Sequence, residues 1–155
     1  MANRITTLEQ LKDIGALCFY RIEEGIKQYD YQVIKLNALE ARQKTREWSG
    51  NGADAECNCQ VYLDFYYLTL PQEAKQKVLS VLNKEEVEFL TQLEQLESFR
   101  AENEVIFEGI EPLLEIALKL NECGMLFSTI YLVGSKMTLW GNFNGEYVVF
   151  REKCD

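Results

Sequence analysis

Apolar residues recur at helical spacing over most of positions 8–120, and after Gly124 they give way to a run rich in β-branched and aromatic side chains. This change of period constrains the fold more than any other feature. Helices bury a stripe spaced by three and four, whereas strands pack on a pleat of period two. A chain that carries the first pattern and then the second reads as α+β, with helices set to one side of an antiparallel sheet. The expectation is one domain over 1–155, with a bundle of four to six helices (about 7–123) and a C-terminal β-hairpin or three-stranded meander (about 126–152).

The helical part opens on Thr7-Leu8-Glu9-Gln10, which has the form of a capping box. Leu8, Leu11, Ile14, Cys18, Ile22, Ile26, Tyr29 and Val33 then follow along one helical face. An unbroken helix from 7 to 48 would be about 60 Å long, far beyond the ~15 Å radius of gyration of a domain this size. A break is expected at Asp30-Tyr31-Gln32. Ser49–Glu56 reads as a loop because it holds Ser49, Gly50, Asn51 and Gly52. Cys57–Leu70 mixes strand formers with no alternation, and its length favours a buried helix. Thr69-Leu70-Pro71-Gln72 resembles a second capping box. Asn83 should cap the next helix, whose apolar stripe runs from Val87 to Ile110, bends at Gly109 and Pro112, and stops at Cys123-Gly124.

In the C-terminal part, Gly134-Ser135 can close one turn, and Asn144-Gly145 is a strong hairpin dipeptide. A two-residue turn there would pair Phe143 with Glu146, Gly141 with Val148 and Leu139 with Phe150. Met137, Leu139, Phe143, Val148 and Phe150 would then face the helices, leaving Trp140, Tyr147, Val149 and Arg151 on the other side.

The chain contains no histidine. Triads built on histidine, mixed Cys/His zinc sites and Glu-x-x-His iron ligands are therefore excluded. No Gly-rich phosphate loop or nucleophile elbow is present either. The five cysteines are odd in number and irregularly spaced, and the Cys57-Asn58-Cys59 pair lacks two further clustered thiols for a zinc site. These features favour a reduced, cytoplasmic protein with no cofactor and no metal. A net charge of −9 argues against direct contact with nucleic acid or an anionic membrane.

The charge is unevenly placed. Residues 85–122 hold 11 glutamates against Arg100 and Lys119, whereas residues 1–52 are nearly neutral. On a continuous helix, Glu97, Glu104, Glu108, Glu111, Glu115 and Glu122 would lie close to one line. Such a ridge suits a basic protein surface. Tyr20, Tyr31, Trp140 and Tyr147 fall off the main apolar stripes, and such aromatics often anchor interfaces. The function expected from these features is stoichiometric binding of another, basic protein, in the manner of a small acidic inhibitor or immunity protein of a nucleic-acid-handling partner. Two alternatives are an enzyme or ligand-sensing domain with an apolar pocket between helices and sheet, and a structural subunit; a homodimer is compatible with any of these.

Overall fold

The structure is a computed structural model that describes residues 5–6, 8–49, 61–97, 106–108, 112–142 and 145–153, with side chains placed over 8–49, 61–95, 112–142 and 145–153. Its elements in chain order are β1 (Ile5–Thr6), α1 (Leu8–Asp13), α2 (Ile22–Gln28), β2 (Asp30–Lys35), α3 (Ala38–Trp48), β3 (Val61–Asp64), a 3₁₀ turn (Tyr66–Thr69), α4 (Gln72–Ser80), α5 (Lys84–Glu97), β4 (Ile106–Glu108), α6 (Leu113–Glu122), β5 (Thr129–Leu132), β6 (Met137–Gly141) and β7 (Glu146–Arg151).

The class is α+β, as the sequence predicts, but the sheet is larger than a hairpin or meander. Seven strands lie in the order β1-β4-β3-β5-β6-β7-β2, and every pair is antiparallel. Both faces are covered. On one, α3–α6 pack Ala41, Val78, Leu90, Leu93, Leu113 and Leu120 onto Leu63, Ile130, Leu139, Tyr147 and Val149. On the other, the N-terminal arm lays Leu8, Leu11, Ala16 and Cys18 on Tyr62, Tyr131 and Val133, and Phe19 on Val148 and Phe150. The Thr138 hydroxyl fastens this arm by donating to Leu17 O at 2.7 Å.

Several expectations are corrected here, each for a local reason. The expected break falls at Asp30, where β2 begins, but the stretch before it is divided again into α1 and α2. Asn37 starts α3 afresh: its side chain accepts from Glu40 N, and Glu40 accepts from Asn37 N. The Cys57–Leu70 helix is absent from the described part. Residues 61–64 form β3, with Tyr62 buried against one layer and Leu63 against the other. A strand covered on both faces has no alternation to read. Pro71 is the N-cap residue of α4, and the Thr69 hydroxyl donates back to Tyr66 O instead of capping it. Asn83 does cap α5 through reciprocal 2.9 Å bonds with Glu86. The stripe expected to continue to Ile110 is interrupted, because Ile106–Glu108 forms β4 between β1 and β3. Gly124, at φ 69°, ends the α6 turn as expected. Thr7, and all of the Ser49–Glu56 loop except Ser49, lie outside the described residues.

The C-terminal hairpin is present, but its register is shifted by one. Gly141 pairs with Tyr147, Leu139 with Val149 and Met137 with Arg151, and Asn142 N donates to Glu146 O at 2.9 Å. Phe143 and Asn144, which the expected pairing and turn involve, lie outside the described residues. Gly145 has φ 76°, and a Cβ there would meet Leu36 O at 2.7 Å. A one-residue slip exchanges the two faces of β7, so Tyr147 and Val149 face the helices while Val148 and Phe150 face the arm.

Candidate functional site

Adjacent strands bring three residues abreast at one end of the sheet, on the arm's side. Tyr62 and Leu63 pair with Tyr131 and Ile130, so the next residue, Asp64, stands opposite Thr129; Thr129 in turn pairs with Trp140. Beside this row is a cavity of about 340 Å³. Asp64, Thr129, Trp140, Tyr66, Phe127 and Ser128 line it, and among the described residues no lysine or arginine does.

Asp64 is 9% exposed. Thr129 N–H donates to its Oδ1 at 2.7 Å, and the Thr129 hydroxyl also bonds to the carboxyl. Burial nevertheless dominates and pushes the carboxyl up from 3.8 to about 7. Ser128, 4% exposed, has a hydroxyl with no hydrogen-bond partner among the described residues. Gly141 closes the end of this region. A Cβ there would lie 2.6 Å from Ser128 O and 2.7 Å from Asn121 Oδ1. Trp140 stacks on Phe19 with ring centroids 5.4 Å apart. The sequence reading missed Asp64. The available signal was one carboxylate inside the apolar run Val61–Leu70.

The predicted binding residues lie on several different elements. Glu97 ends α5, Glu108 lies on strand β4, and Glu115 and Glu122 are on α6. The single helical ridge is therefore corrected: a strand separates its members. Glu104 and Glu111 lie outside the described residues. Glu115 is exposed and 3.6 Å from Arg42. Glu122 has a structural task, accepting Ala38 N–H at 2.5 Å at the start of α3. Among the aromatics, Tyr147 is corrected from a surface anchor to a core residue. It is 1% exposed, and burial pushes its phenol up to about 12. Trp140 is half-buried at the cavity. Tyr20 and Tyr31 are 71% and 51% exposed.

Tyr31 belongs to an exposed edge. The sheet ends at β2, and no described strand pairs with its outer side. Tyr31 and Val33, the latter 54% exposed, share one face of that strand, and α2, with exposed Ile26, packs beside it.

A second cavity of about 320 Å³ lies by α1 and α2, lined by Lys12, Cys18 and Glu24 among others. Burial pushes the Cys18 thiol up to about 11, so at neutral pH it is a thiol and a poor nucleophile. Among the described residues, no group of three cysteines or carboxylates is placed to hold a metal ion, and no helix is long and apolar enough to cross a membrane.

No family model matches the sequence, and neither curated proteins nor solved structures give a significant match to the chain.

Proposed function

We propose that this chain is a stoichiometric protein-binding protein, a small acidic inhibitor or immunity-type protein for a basic, nucleic-acid-handling partner. The observation that carries the reading is the open β2 edge with Tyr31 and Val33 exposed on it. An uncovered edge strand offers unpaired N–H and C=O groups to a strand from another chain, and exposed apolar side chains add affinity and register. Only the ends of β2, Asp30 and Lys35, carry charge. The glutamates of residues 85–122 supply long-range attraction, which raises the rate at which a cationic partner arrives more than it deepens the final complex.

The test is affinity capture from the native host with the wild-type chain and with the double variant Tyr31→Asp/Val33→Asp. Support would be a basic protein retained one-to-one by the wild type and lost by the double variant, with the melting temperature unchanged. Three results count against the reading: no stoichiometric partner, equal capture by both chains, or sedimentation of the wild type as a dimer that the double variant dissolves. The last would assign the edge to self-association.

A further inference from the structure

We propose that the Asp64 cavity is a binding site for a small organic cation, a protonated amine carried on an apolar or aromatic group. Four observations point to this chemistry. The cavity, at about 340 Å³, has room for a small molecule. Among the described residues, its single charged lining residue is an aspartate, and no cationic side chain of the lining neutralises it. Tyr66, Phe127 and Trp140 supply aromatic walls, and the faces of such rings attract ammonium ions, most strongly once water is excluded. The Ser128 hydroxyl is buried at the same wall with no partner among the described residues, so its oxygen is an acceptor already in place for a donor ligand.

The alternatives fit less well. An anion would meet the Asp64 carboxylate with no lysine or arginine of the described residues on the lining. A neutral apolar ligand would leave both the carboxyl and the Ser128 hydroxyl without a new partner, and an unmet buried polar group is costly. An ammonium group answers both as a donor: it donates to the Asp64 oxygen lone pairs that Thr129 leaves open and to the Ser128 Oγ lone pairs. Among the described residues, Tyr66 is the other titratable side chain on the lining. This site is independent of the β2 edge, and either can fail without the other.

The probe is phenethylammonium chloride, with 2-phenylethanol as the uncharged control of the same shape. Binding is followed by titration calorimetry and by quenching of Trp140 in a Trp48→Phe background, since the chain has 2 tryptophans and Trp48 lies on α3, on the opposite side of the sheet. At pH 8.5 the ammonium ion should bind saturably, at least tenfold tighter than the alcohol, and quench Trp140. Its affinity should fall at least tenfold between pH 8.5 and pH 5.5, as Asp64 takes up its proton. Asp64→Asn should lose at least tenfold at pH 8.5. The proposal is overturned by no saturable binding, by equal binding of ammonium and alcohol, by an affinity unchanged across that pH range, or by a folded Asp64→Asn protein that binds like the wild type. The pH comparison uses the wild-type chain alone and stands whether or not a variant folds.

Discussion

Replacing Asp64 with asparagine should flatten the pH dependence of stability. The Asp64 carboxyl sits at about 7 in the fold against an ordinary 3.8, chiefly because it is buried. A carboxyl that holds its proton more tightly in the native state leaves stability whole below pH 3.8. Stability then declines as pH rises toward 7 and stays at its lowered level above that. A tenfold change in proton affinity is worth about 1.4 kcal/mol, so the interval from 3.8 to about 7 corresponds to roughly 4 kcal/mol. Asparagine keeps an acceptor for Thr129 N–H but brings an amide whose own donors need partners, a pH-independent cost of about 1–3 kcal/mol. The variant should therefore equal or fall below the wild type at pH 4.5 and exceed it by about 1–3 kcal/mol at pH 8.5. Urea unfolding of both proteins at half-unit steps from pH 4 to 8.5 measures the difference directly. Two stability curves that run parallel across this range would mean that Asp64 is hydrated and titrates as an ordinary carboxylate, and the reasoning would fail.

Other perturbations test other parts of the structure. Gly141→Ala should cost about 1–3 kcal/mol in chemical denaturation, because its Cβ would meet the Ser128 carbonyl oxygen at 2.6 Å and backbone cannot easily yield. Glu122→Ala should cost about 1 kcal/mol by leaving Ala38 N–H unmatched at the start of α3, a fall of about 2–4 °C in melting temperature. Thermal melts in excess reductant and chelator should match those in plain buffer, since Cys18 and Cys123 are free thiols; a large drop would reveal a disulfide or metal holding the fold together. If a basic partner is captured, charge reversal at Glu104, Glu108 and Glu111 should slow association at low salt. The effect should fade toward 1 M, where the screening length is about 3 Å.

What could be read from the sequence follows the range of the interactions involved. Asn83 with Glu86, Gly124 at the end of α6 and the β-rich tail are settled within a few residues, and each is where the sequence places it. The sheet was harder to see because four of its seven strands lie among the helices, and β1 and β4 have only two and three residues. Strands that short cannot display a period. The stripe Val87–Ile110 appeared continuous because Ile106, although on β4, falls at helical spacing from Leu96 and Phe99; its strand pairing comes from β1 and β3, far away in the chain. For the same reason the glutamates that seemed to share one line are divided between helix and strand. Asp64 stood out chemically, but the neighbours that give it meaning, Thr129 and Trp140, are joined to it only by the strand register.

The hairpin shows how much depends on one residue of register. Tyr147, Val148, Val149 and Phe150 are all buried, so β7 carries no polar alternation to choose its register. Either setting would place two apolar side chains on each face. What differs is the fit. In the observed register, Val148 stands across from Trp140, and Phe150 reaches Phe19 at a centroid distance of 4.7 Å. Tyr147 and Val149 join the larger cluster under the helices. The observed register also extends the row that begins at Asp64 and Thr129 through Trp140 and Val148 to Val33 on the open edge. The cavity and the edge thus lie at different points of one transverse row, with Phe19 packed over its centre. Slipping β7 by one residue would set Tyr147 or Val149 beside Trp140 and carry the phenol from the helical core to the arm. The register of β7 therefore decides which aromatic side chains surround the proposed ligand site and which fill the core.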